Sequence, residues 1–207
     1  KIRKSVLSDN ERRKVALKAA EEGIVLLKND GILPLEGGRI TVLGQPNQGV
    51  CAVGGGSGSV HMKNEIRLFS DCLKDELPQA EIDYVHSFQF VGGDIFFDNF
   101  SAGLESAERS ETVILCVGNN HCVEGEGFDR QTIKLNPKQE EIILRTARCN
   151  PNTIVLLFAG SAVDMTAWID KVRAVVYAGF GGECMTDALA AVVSGRVCPS
   201  GKLNETF

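Results

Sequence analysis

Thr112-Val113-Ile114-Leu115-Cys116-Val117-Gly118 is the most strand-like run in the chain, and it leads into Val123-Glu124-Gly125-Glu126-Gly127-Phe128-Asp129-Arg130. Apolar on both faces of a two-residue repeat, the first segment fits a strand buried from both sides, as in a parallel sheet covered by helices. The loop that follows would then lie at the carboxyl end of a central strand, where open α/β sheets bind ligands. Gly125 and Gly127 bracket Glu126 and let the backbone bend, while Asp129 and Arg130 can pair with each other or brace the loop. Such a loop presents a carboxylate; as a plain alternative it is a solvated acidic turn.

The same reading extends outward from this strand. Ser8-Asp9-Asn10-Glu11 is a capping box opening a helix whose apolar face runs through Val15, Ala16, Ala19 and Ala20 and which ends at Gly23. Ile24 to Leu27 reads as a short buried strand or turn, and Asn29-Asp30-Gly31 as a tight turn. Strands are expected at 39–44, 82–85, 112–117, 153–158 and 172–177. Helices are expected at 65–77, with Ile66, Phe69, Leu73 and Leu77 inward, then at 98–110, from Asn136-Pro137 onward, and at 183–193. Asn136 followed by Pro137 is a helix-start signal. Alternating strands and helices of crossover length predict one α/β domain over residues 1–207, a mostly parallel sheet with helices on both faces. Right-handed crossovers bring Gly54–Ser59, Glu124–Arg130 and Ser161–Asp164 to a common sheet edge.

Composition narrows the function. Lys and Arg number 22 against 27 Asp and Glu, a net charge of −5 without a basic stripe, which argues against nucleic acid or an anionic membrane as partner. The apolar runs are far shorter than a membrane span, and Lys1-Ile2-Arg3-Lys4 is not followed by a signal-peptide core, so a soluble chain is expected. Seven cysteines, an odd number with no C-x-x-C pair, point to free thiols in a reducing compartment and hence a cytoplasmic setting. Cys116, His121 and Cys122 cluster without a fourth ligand at a usual spacing, so no metal and no cofactor is expected. Gly54-Gly55-Gly56-Ser57-Gly58-Ser59 satisfies neither G-x-G-x-x-G nor G-x-x-x-x-G-K-[ST], and Ser59 spoils G-x-S-x-G. What remains is a loop of exposed amides, able to let a polar ligand approach closely.

Taken in order and spacing, Ala19 to Asn29, Leu33-Pro34-Leu35, Gly54 to Ser59, Glu124 to Arg130, Asn150 to Thr153, Gly160 to Val163 and Pro199 to Leu203 through Thr206-Phe207 resemble the second domain of family 3 glycoside hydrolases, the β-glucosidase type. The resemblance implies an (α/β)6 sandwich, a three-layer fold. It further implies an active site shared with a preceding (β/α)8 barrel that carries an aspartate nucleophile, this domain supplying the general acid/base from its E-G-[FY]-D-R loop. Glu126 holds that place; Glu124 lies outside the string. Glu124, Asp129, Arg130, Ser57 and Gly58 are the expected substrate-binding residues, for a β-glucoside or a related oligosaccharide or aryl glycoside, and the fragment alone is expected to be inactive. Ser70-Asp71-Cys72 echoes the family's nucleophile string, but Asp71 falls on the wet side of a helix and reads as structural. Cys184-Met185-Thr186 stands where members often carry small residues, which places a change at the edge of the site.

A retaining glycosidase sets two carboxyl groups roughly 5 to 5.5 Å apart, one attacking the anomeric carbon and the other first protonating the leaving oxygen and then deprotonating water. With the barrel absent, Glu126 is expected to behave as an ordinary exposed acid. Two other classes stand beside this reading: a non-catalytic sugar-binding module, and a flavodoxin-like regulatory or nucleotide-binding domain, which the failed glycine motifs disfavour.

Overall fold

The structure is a computed structural model, and it describes residues 7–44, 53–60, 65–92, 94–127 and 129–207. Lys1–Lys4 and Phe128, both used above, lie outside the described residues. In chain order the elements are α1 (Asp9–Gly23), β1 (Val25–Asn29), β2 (Arg39–Leu43), α2 (Phe69–Glu76), β3 (Glu81–Val85), β4 (Phe88–Val91), β5 (Asp94–Phe97) and α3 (Phe100–Arg109). They continue with β6 (Thr112–Gly118), α4 (Pro137–Cys149), β7 (Thr153–Phe158), β8 (Ala174–Tyr177) and α5 (Met185–Val193). Six strands form one sheet in the order β1-β8-β7-β6-β2-β3, parallel throughout except for β1, which runs antiparallel to β8.

The period-two alternation of the central strands divides the interior in two. Ile114 and Cys116 of β6, with Ile154, Leu156 and Phe158 of β7, pack under α1, α2 and α5. Their neighbours Val113, Leu115 and Val117, with Val155 and Leu157, pack under α3 and α4 around Trp168. Both strands are buried along their whole length, as expected of strands covered on two faces. The fold is thus the three-layer α/β sandwich with a mostly parallel sheet that the sequence predicts.

Local signals explain where the helices begin. Ser8 and Glu11 form the reciprocal capping box of α1, and the Asn136 side chain accepts from the Lys138 amide at the start of α4, with Pro137 in the first turn. The inward face of α1 differs from the expectation. Val15 is 61% exposed and only Ala20 is buried: the inward stripe runs instead through Arg13, which pairs with Asp187 of α5 at 2.8 Å, and Leu17, which packs against the core. Helix α2 begins at Phe69, four residues later than expected, yet Ile66 still reaches the core from the extended segment before it. Asp71 is exposed near Lys74, at 3.8 Å, in keeping with a structural role. The β4–β5 hairpin, which turns at Gly92 (φ 61°), was not anticipated; Phe88 and Ile95 anchor it to the core. Cys184, Met185 and Thr186 are all buried where the segment after β8 enters α5.

Strand order decides where a ligand can sit. From β2 the chain steps outward to β3, then crosses back over β2 to β6 and continues the other way to β7 and β8. The direction therefore reverses between β2 and β6, and the loops leaving their carboxyl ends separate to form a crevice. Gly118 closes β6 there with φ 155°, where a Cβ would lie 2.6 Å from the Phe158 carbonyl carbon. The Gln139 side chain of α4 clasps this glycine, accepting from its N–H and donating to its carbonyl, both at 2.7 Å.

Candidate active site

Two asparagines at the end of β6 build the loop. Asn119 and Asn120 are 3% and 4% exposed. Asn120 accepts from the Cys122 amide and donates to the Gly92 carbonyl of the hairpin, while its own carbonyl accepts from the amides of Val123 and Glu124. The chain is thereby folded into a turn that delivers Glu124 inward and Glu126 outward. Sequence reading passed over Asn119 and Asn120, although a polar pair directly after a wholly apolar strand is a usable signal for buried satisfied amides.

The two carboxylates have opposite surroundings. Glu124 is 13% exposed: its Oε2 accepts from the Gly160 amide at 3.0 Å and Asn119 Nδ2 at 3.2 Å, and its Oε1 accepts from Ser161 Oγ at 2.6 Å. Arg130, 12% exposed, stands 3.8 Å from that oxygen and donates to Ser161 Oγ and the Ala162 carbonyl. Arg130 therefore braces the loop by joining it to the segment after β7, with Glu124 as its acidic partner. Glu126 is exposed, and its Oε2 accepts from both the amide and the hydroxyl of Ser57, at 2.6 and 2.5 Å, across the crevice from the glycine loop after β2. That approach needs glycine at 56, where φ is 63° and a Cβ would lie 2.6 Å from the Cβ of Glu126.

Ser57's hydroxyl, and then its amide, hold Glu126 below the usual carboxylate range. This departs from the expectation of an ordinary exposed acid, because two donors converge on one oxygen and favour its charged form. Gly58 lies in the same short turn as Ser57, and Asp129 is exposed beside Arg130. The structure therefore brings Ser57, Gly58, Glu124, Glu126, Asp129 and Arg130 to one sheet edge, with Glu124 committed to the interior. A cleft of about 420 Å³ opens beside the loop, walled by Phe90, Asn119, Asp129, Arg130, Lys134 and Gln139; Glu126 and Ser57 are not among its walls. Burial pushes the Cys72 thiol up to about 11 and raises that of Cys116 as well.

Residues 24–207 match the model of the glycosyl hydrolase family 3 C-terminal domain. The chain belongs to this family. It is 33% identical over 196 residues to thermostable β-glucosidase B of Acetivibrio thermocellus, covering 94% of this chain and 26% of that protein. It is 30% identical over 203 residues to an exo-α-(1->6)-L-arabinopyranosidase of Bifidobacterium longum, covering 93% of this chain and 27% of that protein. Among solved structures, a family 3 β-glucosidase of Bifidobacterium adolescentis superimposes with a TM-score of 0.81 at 28% identity, over 93% of this chain and 28% of that one. The family 3 C-terminal domain described here thus spans about a quarter of the length of the relatives it matches. Among its described residues no helix is long and apolar enough to cross a membrane.

Proposed function

We propose that this domain supplies the general acid/base, Glu126, to a retaining β-glycosidase of the β-glucosidase type, whose aspartate nucleophile and remaining sugar-binding wall come from a (β/α)8 barrel of the same enzyme. The observation that supports it most is the placement of Glu126: an exposed carboxylate at the strand-order reversal, on a loop whose other glutamate is engaged in bracing it. In the first step such a group must give a proton to the leaving oxygen, and in the second take one from water. Ser57 favours the charged form that the second step needs. The first requires a second anion close by, which raises a carboxyl pKa, and the barrel aspartate would be that anion. Glu124, Arg130 and Ser161 position the loop, while Ser57, Gly58 and Asp129 border the sugar. Terminal β-linked sugars are the substrate class, and the fragment without its barrel is inactive.

The complete enzyme carrying Glu126→Ala tests this. A dinitrophenolate leaves without protonation whereas an alkoxide does not, so the loss on a poor leaving group should be on the order of 10² to 10⁴ fold and far smaller on dinitrophenyl glycoside. Azide, which needs no deprotonation, should enter the vacated space and restore turnover as the β-glycosyl azide. The same rescue in Glu124→Ala instead would move the assignment two residues upstream.

A further inference from the structure

We propose that Phe180 is a stacking platform for a sugar ring on the leaving-group side of the site, an inference that rests on the acid/base reading of Glu126. Phe180 belongs to neither apolar core and is 39% exposed, although Ala178 and Met185 on either side of its loop are buried. The loop is Ala178-Gly179-Phe180-Gly181-Gly182, in which Gly179 and Gly182 take φ of 58° and 69°, a conformation that favours glycine and bends the chain on both sides of the ring.

The ring is seated on other glycines. A Cβ built on Gly160 would lie 2.6 Å from Phe180 Cζ, and one built on Gly54 3.9 Å from its Cε2. Phe180 therefore lies across the segments that follow β7 and β2, its Cδ2–Cε2–Cζ edge against their glycines. Both segments belong to the site. The Gly160 amide donates to Glu124, and Gly56, which abuts Glu126, is two residues from Gly54, at most about 7.6 Å along the chain. Phe180 and Glu126 thus flank the same glycine loop.

An aromatic face carries negative potential and suits the polarised C–H groups on the apolar face of a pyranose. Ligand sites are commonly lined by such rings, with a few polar groups fixing orientation. Because the acid protonates the departing oxygen, groups beside it on its own domain face the departing part of the substrate. The glycone's anomeric carbon meets the nucleophile from the opposite side.

The test compares, in the complete enzyme, a β-linked disaccharide with the methyl β-glycoside of the same sugar, whose leaving group has no ring. Phe180→Leu keeps apolar bulk and removes the aromatic face; Phe180→Trp keeps the face. With Leu, kcat/KM for the disaccharide should fall about tenfold more than for the methyl glycoside, mainly through KM, and Trp should restore the ratio. Equal losses on both substrates would show that the ring only shapes the loop, and no change on either that it touches no ligand; each outcome overturns the platform. Glu126→Ala showing equal losses on good and poor leaving groups and no azide rescue would instead overturn the acid/base reading, and the platform with it.

Discussion

Replacing Glu124 asks what holds the loop that carries Glu126. The side chain receives three hydrogen bonds, from the Gly160 amide, Asn119 Nδ2 and Ser161 Oγ, and stands 3.8 Å from the Arg130 guanidinium. Glu124→Ala removes all of these and leaves a guanidinium that is 12% exposed without its anion. Breaking one partner of a buried pair costs about 3 to 5 kcal/mol; residual exposure and the long ionic separation favour the lower end, about 3 kcal/mol. Glu124→Gln keeps the shape and one carbonyl acceptor but loses the charge and one acceptor, for about 1 to 2 kcal/mol. At about 2 to 4 °C per kcal/mol for a domain of this size, the thermal midpoint should drop by about 6 to 12 °C for Ala and by less than that for Gln. Calorimetry of the protein carrying this domain reads the midpoints, and amide hydrogen exchange at Gly160 and Ser161 locates the loosening. Ala and Gln variants with equal midpoints, or two shifts below about 1 °C, would show that the carboxylate bears no load and that backbone packing alone holds the loop.

Other expectations follow from the same geometry. Ser57→Ala removes the larger of the two donors to Glu126, so the Glu126 pKa should rise toward the ordinary carboxylate value while the amide still holds part of the depression. A carbon-detected NMR titration of that carboxyl reads it directly, and an unchanged or lower value would sink the assignment of cause. Because the folded pKa is depressed, whatever Glu126 contributes to stability is present above its unfolded value of about 4.3 and fades as the pH falls through the folded one. Leu115→Ala, at a fully buried position between β6 and the α3–α4 layer, should cost about 2 to 5 kcal/mol in a urea titration. A cost under about 1 kcal/mol would contradict the doubly covered sheet.

Those parts of the molecule that depend on neighbours in sequence were legible without coordinates. The apolar runs at 112–118 and 153–158, the Ser8–Glu11 box and the Asn136-Pro137 start each rest on contacts within a few residues, so their outcome is written locally. The glycine bracket and the E-G-F-D-R string likewise marked Glu126 as a presented carboxylate. The tertiary structure alone decided the rest. The inward face of α1 runs through Arg13, paired with Asp187 of α5, and Leu17, packed against the core, and α2 starts only where the extended residues before it end. Two glutamates two positions apart, alike in sequence, became an internal brace and an exposed acid, because Gly160, Ser161 and Ser57 reach them from loops 36, 37 and 69 residues away in the chain. Neither the Ser57 clamp that lowers the Glu126 pKa nor the seat of Phe180 on Gly160 has any local signature. Both exist because the strand order brings the ends of β2, β6, β7 and β8 to one edge, and side-chain roles at such an edge are set by what the neighbouring loops contribute.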